Sequence, residues 1–427
     1  MIKQVVFSGV LLLTLLIFSY SLRRLGLLFQ LTRKTLPFGQ WSKRLSLTLE
    51  VAFGQTKILR KPLIGLLHAL VFWGFLVITL GSIEMVVDGI AGTERAFSHS
   101  GLFYSIVSAS ADIFAYVILL GITIFLIRRK WMHITRFSGI ELTHQNKNDA
   151  YLSLLMILLL MISLIGINFC LISEASDYSE GVYPISAQLA GIWKISPSHA
   201  QLFYQMFWWT HILLIFIFAN YLPYSKHFHV FMSVPNVFFS NLDPLAKLPN
   251  LDAVTREVKL MLSGNAFQDS LSEVPARFGV KDVEDITWKN YLDSLTCTQC
   301  GRCTEVCPAN ITGKKLSPRK IFVDLRNRMN DKGPQIIKKK NSQDNTSLVS
   351  DTFVSDEEIW ACTTCNACAQ ECPLNISHPN LIIDMRRYLV LEEGKAPSGI
   401  KFMFANIENN GAPWQFSPQD RLKWTNE

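Results

Sequence analysis

Five stretches of this chain, roughly 4–22, 63–83, 104–127, 150–172 and 205–224, are apolar and long enough to cross a bilayer, which takes about 20 residues of helix. Lipid offers no water to satisfy peptide groups, so such runs commit most of the first half to a helix bundle. Composition agrees: 49% of the 427 residues are hydrophobic and 18% charged, which excludes a disordered chain and a purely soluble one. The formal charge is +7, with 18 basic against 10 acidic residues up to position 235 and 23 against 24 beyond it. The basic excess lies between apolar runs and not on a polar domain, which argues against a nucleic-acid binder.

Charges in the connections give an orientation, because cytoplasmic loops collect Lys and Arg. Residues 23–61 carry Arg23, Arg24, Arg33, Lys34, Lys43, Arg44, Lys57, Arg60 and Lys61 against Glu50 alone, and Arg128, Arg129, Lys130, Arg136 and Lys147 follow the third run. In contrast, 84–103 holds only Arg95 as a basic residue and 173–204 only Lys194. The N-terminus is therefore expected outside a cytoplasmic (inner) membrane and the C-terminal half in the cytoplasm. No small-residue cleavage site precedes the basic stretch 23–34, so the first run is expected to stay as a helix.

Histidines carry the chemistry of this half. His68 falls about two turns after Pro62, which suits the first turn of a helix. His211 lies near the outer end of the fifth run and His229 at its inner end, about five turns apart, so both would face one side of a continuous helix; Pro223 is a point of kinking. Ionisable residues inside membrane helices are functional by default, and imidazoles at one depth on two facing helices suit a haem b with axial ligands. The inner pair, His68 and His229, fits best. The plainer reading makes these histidines polar contacts between helices, with His227 and His229 at headgroup level. Cys170, alone near the outer end of the fourth run, reads as a buried small hydrophobe.

Eight of the nine cysteines fall after residue 296. C-T-Q-C-G-R-C-T-E-V-C-P supplies Cys297, Cys300, Cys303 and Cys307 before Pro308, and C-T-T-C-N-A-C-A-Q-E-C-P supplies Cys362, Cys365, Cys368 and Cys372 before Pro373. This doubled spacing is the bacterial two-cluster ferredoxin pattern, in which the fourth cysteine of each run serves the other cluster. One [4Fe-4S] cluster would use Cys297, Cys300, Cys303 and Cys372; the second would use Cys362, Cys365, Cys368 and Cys307. Zinc usually draws pairs separated by a longer loop, and the reducing cytoplasm disfavours disulfides. Gly301 and Ala367 leave room for backbone amides to approach sulfur.

The fold expected is all-α: a five-helix transmembrane bundle over 1–235, a connecting segment over 236–290, a mainly helical soluble di-cluster domain over 291–394, and an extended docking tail over 395–427. Ser317-Pro318 opens one helix, and HPNLIIDMRRYLVLEEG reads as another ended by Gly394. The stretch 331–358, with three lysines at 338–340, reads as a flexible surface insertion or, more sharply, a landing site for an acidic redox partner.

The helices, His68, and His211 followed by P-Y-S-K-H-F-H (Pro223 to His229) resemble the gamma-type cytochrome b subunit of respiratory nitrate reductase. In that family the helix-five histidine pair ligates two stacked haems, each with a partner on helix two. The resemblance implies an inner haem on His68 and His229 and His211 as ligand of an outer one. Ile78 stands where the second helix-two histidine would be, so an outer haem needs His99 or His199, is five-coordinate, or is absent; one haem b is expected. The family places quinone chemistry beside a haem at the membrane edge, which makes Asp112 in helix three a candidate proton relay. An interfacial acid is its plainer reading.

The cysteine runs, with L-S-P-R-K (Leu316 to Lys320) and the tail, resemble iron–sulfur subunits of heterodisulfide reductases, glycolate oxidases and electron-transfer-flavoprotein:menaquinone oxidoreductases. There a di-cluster module precedes a catalytic module marked by C-C-G, which does not occur here; the implied partner is a separate C-C-G-type iron–sulfur subunit. Together the resemblances imply an oxidoreductase subunit carrying electrons from electron-transfer flavoprotein through two clusters and haem b to menaquinone. In the reverse sense, quinol would drive reduction of a disulfide on a thiol partner, and nothing in the sequence fixes direction. The rival of another class, a membrane redox sensor or assembly protein with a structural cysteine domain, leaves the membrane histidines without a purpose.

Overall fold

The computed structural model describes the whole chain except residues 36–38, 140, 175–180, 264–276, 340–345 and 427. Among the described residues the protein is mostly helical, with two isolated β-bridges and no strand. It runs from α1 (Ile2–Gln30) through α2 (Trp41–Thr48), a π-helical turn at Leu49–Phe53 and α3 (Thr56–Leu59) into α4 (Pro62–Ala91) and α5 (Leu102–Trp131). Next come α6 (His144–Glu174), α7 (Pro184–Ile192), α8 (Pro197–Tyr221) and α9 (His229–Phe238), which crosses residue 235. Helices α1, α4, α5, α6 and α8 are long and apolar enough to cross a membrane. Each exceeds its apolar run by a turn or more. Pro62 and Pro197 occupy first turns, where a missing N–H costs nothing.

Inside the bundle Phe7 of α1 packs against Trp208 and Phe216 of α8, and Cys170 is buried in the same cluster. Gly166 of α6 allows Phe207 of α8 to approach: an added Cβ would stand 2.6 Å from that ring.

One expectation is corrected in this half. Helix five is not continuous. It ends at Tyr221 and passes through single 3-10 turns at Leu222–Tyr224 and Lys226–Phe228, with Ser225 extended between them, before α9 begins at His229. Pro223 has no N–H to give and its ring crowds the preceding turn. Asp149 of α6 takes up the freed groups, accepting from Ser225 Oγ at 2.5 Å, Tyr221 OH at 2.5 Å and Lys226 N at 3.1 Å. His211 and His229 therefore do not share one face of one helix.

Asp112, the relay candidate, is enclosed by protein. It is fully buried and accepts four hydrogen bonds: Ile185 N (2.9 Å), Ser186 N (3.1 Å), Ser186 Oγ (2.5 Å) and Asn168 Nδ2 (3.1 Å). Ile185 and Ser186 open α7, whose own residue before the helix, Tyr183, gives no side-chain cap. Asp112 thus caps α7 from another helix, satisfying donors that a helix start leaves over. Asp112→Ala is expected to destabilise the solubilised protein by about 2–4 kcal/mol through the buried donors left unpaired, read as a lowered melting temperature. Unchanged melting with lost quinone turnover would return Asp112 to the proton-relay role.

The second half contains α10 (Asp252–Ser263), α11 (Trp288–Thr296), α12 (Arg302–Glu305), α13 (Pro308–Ile311), α14 (Pro318–Ile337), α15 (Asp356–Ala361), α16 (Ala367–Glu371), α17 (His378–Leu391) and α18 (Ser398–Asn410). The helices opened by Pro318 and preceding Gly394 are those expected. Their core takes in Leu25 and Leu28 from α1 and Leu222 and Phe228 from the helix-five break, beside Tyr291, Phe322 and Met385.

Two further corrections fall here. The tail is not extended throughout: α18 covers Ser398–Asn410, closed by Gly411 at φ 66°, and a 3-10 segment follows at Pro418–Asn426. The stretch 331–358 is not a flexible insertion over its described length. Residues up to Ile337 continue α14, and Leu348 and Val354 are fully buried, held by Asp282, which accepts from Leu348 N, Arg328 and Lys332. Residues 340–345, with Lys340, lie outside the described residues.

Candidate metal centres

Both cysteine runs are built by the same local logic. A capping box starts the helix before each, Thr287 with Asn290 for α11 and Ser355 with Glu358 for α15. The helix stops at the first cysteine, Cys297 or Cys362. The second cysteine is then flanked on both sides by left-handed residues: Gln299 and Gly301 (φ 58° and 77°) around Cys300, Thr364 and Asn366 (56° and 61°) around Cys365. A β-branched residue such as Thr364 takes that conformation only under constraint. The result is to turn amides inward: Thr364 N donates to Cys362 Sγ at 3.4 Å, and Gln299 N donates to Cys297. Asn366, and not Ala367, is thus the counterpart of Gly301. After the fourth cysteine, Pro308 and Pro373 remove the nearest N–H, and later amides serve instead, Ala309 and Asn310 for Cys307, Leu374 and Ile376 for Cys372.

The eight thiols form two groups that cross the runs. Cys303 feels Cys300, Cys297 and Cys372 more than Cys368 of the other group, and Cys372 feels Cys300 and Cys297; this is site one. Cys368 feels Cys362, Cys307 and Cys365, and Cys307 feels Cys365; this is site two, whose four cysteines line one cavity with Leu316, Pro318 and Pro379. Burial, then neighbouring sulfurs, pushes Cys368 and Cys372 up to about 12 and holds Cys303 well above the ordinary thiol range. Such thiols ionise when a cationic centre replaces the water they have lost. Foursomes of thiols with inward amides fit a [4Fe-4S] cluster, in which each thiolate holds its own iron.

Site one faces the membrane helices. Lys57 Nζ donates to the carbonyl of Cys372 at 3.2 Å, Arg60 to that of Gln370 at 3.1 Å, and Arg302 of the first cysteine loop to that of Lys57 at 3.0 Å. On the other side, Arg319 of the L-S-P-R-K motif donates to Glu141 Oε1 (2.7 Å) and to the carbonyls of Arg136 (2.6 Å) and Ser138 (3.0 Å), while Ser317 Oγ also reaches Glu141 at 2.7 Å. Gly301 is required at this contact, since a Cβ there would stand 2.6 Å from the Arg136 carbonyl. Site two lies away from these loops, and its Cys365 is exposed.

Below site one stand the inner histidines. His68 and His229 are close enough to act on one another electrostatically, Arg302 acts on His68, and Arg326 acts on His229. His229 Nδ1 contacts the Lys226 carbonyl at 3.2 Å, leaving its other nitrogen available. His68 Nδ1 is shielded from solvent and has no hydrogen-bond partner, the condition of a residue awaiting a further group. His211 is instead buried with Nδ1 held by Ser163 Oγ (2.8 Å) and the Leu160 carbonyl (3.0 Å). His99 and His199 are exposed near helix ends, His199 bonded to Ser196, so neither is brought to His211. Sequence reasoning missed Arg326 and Arg386, which sit beside Cys297 and Cys362 but 29 and 24 residues after them, at no common register in the repeat.

Residues 296–376 match the model of the 4Fe-4S dicluster domain family. Over 88% of its length the chain is 30% identical to the probable iron-sulfur-binding oxidoreductase FadF of Bacillus subtilis, covering 54% of that protein. It is 28% identical to the EtfAB:quinone oxidoreductase of Syntrophomonas wolfei over 88% of this chain and 53% of the relative. A probable membrane-anchored ferredoxin of Chromohalobacter salexigens is 34% identical over 36% of this chain and 25% of its own. The chain thus spans about half the length of the first two. No solved structure matches it. These likenesses support iron–sulfur electron transfer and are consistent with an oxidoreductase subunit in a membrane.

Proposed function

We propose that the chain is the membrane-anchored electron-transfer subunit of a quinone-linked oxidoreductase. Cys297, Cys300, Cys303 and Cys372 would hold one [4Fe-4S] cluster, Cys362, Cys365, Cys368 and Cys307 the second, and His68 with His229 one haem b. When bound, these groups supply one-electron carriage; the protein supplies ligation, order and burial. What supports this reading is the hold of the basic loops on site one, through Lys57 on the Cys372 carbonyl and Arg302 on that of Lys57, with His68 Nδ1 buried and without a hydrogen-bond partner in the helix that follows. Residues 1–235 are then the membrane part and 291–394 the cluster part. The same basic loops that hold site one set the orientation, with the N-terminus outside and the clusters in the cytoplasm. The soluble donor would be electron-transfer flavoprotein acting through a C-C-G-type subunit, and menaquinone the acceptor; the relative named for EtfAB and quinone supports this pairing.

An optical spectrum of the detergent-purified chain, oxidised and dithionite-reduced, tests it together with metal analysis. Two [4Fe-4S] clusters require about eight iron and eight sulfide per chain, and a b-type spectrum should appear with them. His68→Ala and His229→Ala should each abolish the b-type bands while the iron and sulfide remain. Bands that survive both substitutions would place the haem elsewhere.

A further inference from the structure

Among the described residues, Arg326, Arg386 and Lys57 each donate to the carbonyl of a site cysteine and pair with no carboxylate. Arg326 of α14 donates to the carbonyls of Ser294 and Cys297, at 2.6 and 2.7 Å. Arg386 of α17 donates to those of Ile359 at 2.9 Å and Cys362. Ser294 and Ile359 each stand three residues before the first cysteine of their run, so the two arginines occupy matching places. The third cation is Lys57, in α3 just before α4, on the Cys372 carbonyl. Nearby acids are engaged elsewhere: Asp149 pairs with Lys226 at 3.9 Å and Glu371 with Arg302 at 4.0 Å. A guanidinium withdrawn from water and offered only carbonyls lacks its counter-charge. Four thiolates around a cluster supply that charge, and the excess grows by one on reduction.

We propose that Arg326 and Arg386 are the counter-cations of the two clusters, and that Lys57 adds a second cation to site one alone, making it the more easily reduced. This rests on the two-cluster reading above. Amide donors do not favour site one: Gln299, Leu374 and Ile376 serve its sulfurs, and Thr364, Ala309, Asn310 and Ala369 serve those of site two. The exposure of Cys365 favours added charge at site two, but water screens there, whereas Lys57 acts through a buried wall. One electron lost from site two and gained by site one then moves downhill, toward the membrane helices. The direction left open by the sequence becomes inward, from soluble partner to quinone, and the membrane half itself sets the potential of the cluster it holds.

A redox titration of the solubilised chain followed by electron paramagnetic resonance tests this in the wild type, Arg326→Gln, Lys57→Gln and Arg386→Gln. Two one-electron steps are expected. Arg326→Gln and Lys57→Gln should both lower the step of higher potential and leave the other, Arg386→Gln should lower only the second, and Arg326→Lys should restore most of the first. A shift of the lower step by Arg326→Gln, or no shift with Lys57→Gln, overturns the proposal while iron and sulfide content stays normal. Wild-type protein without iron and sulfide would overturn the two-cluster reading itself.

Discussion

Cys307→Ser is expected to empty the site formed mainly by the other cysteine run, lowering iron and sulfide from about eight each to about four and leaving the cluster at site one intact. Cys372→Ser should do the converse. The expectation follows from the crossed grouping, in which Cys307 interacts with Cys365 and Cys368 while Cys372 interacts with Cys297 and Cys300. Each fourth cysteine is also locked by amides just beyond its own proline, so it has little freedom to change sites. Metal analysis with electron paramagnetic resonance of the remaining cluster decides the matter. If Cys307→Ser instead removed the cluster shifted by Arg326→Gln, each run would be ligating its own cluster and the crossing would be wrong.

Arg319→Met should loosen the cysteine half from the loop between α5 and α6, at a cost of about 3–5 kcal/mol. Glu141 would be left buried without its guanidinium, since both side chains are nearly inaccessible and 2.7 Å apart. The Arg136 and Ser138 carbonyls would lose their donor at the same time. The double variant Arg319→Met, Glu141→Leu should recover most of the loss, because replacing both members of a buried pair is far milder than breaking it. Thermal unfolding and hydrogen exchange over residues 133–143 give the readout; additive losses in the double variant would show that the pair is not coupled.

What the sequence made legible was what local chemistry encodes. Apolar runs marked five spanning helices because every lipid-facing position must be apolar, and cysteine spacing marked the cluster loops because three of the four cysteines of each site lie within seven residues. The failures were non-local. Pro223 signalled a kink, but a full break at Ser225 depends on Asp149, which lies on another helix. The cap that Asp112 gives α7 went unread because α7 is too short to announce itself against a membrane background. Leu348 and Val354 sit in a polar stretch whose charges suggested solvent, yet Asp282 folds that stretch onto the core. Arg326 and Arg386 were invisible because a guanidinium on a carbonyl leaves no pattern in a linear chain.

The length of α1 bears on biogenesis. Its last turns, with Leu28 fully buried, belong to the core of the cysteine half, and Gly333 of α14 must lack a side chain because a Cβ there would stand 2.4 Å from Leu28. Leu28 is therefore made early and covered late. At about 5–20 residues per second, the ribosome needs on the order of a minute or less to reach α14, and throughout that interval the inner end of α1 presents apolar surface to the aqueous phase. The nascent chain needs either a chaperone at that face or temporary burial of α1 in the headgroup layer, and the cysteine half translated alone would carry an open groove where Leu25 and Leu28 belong.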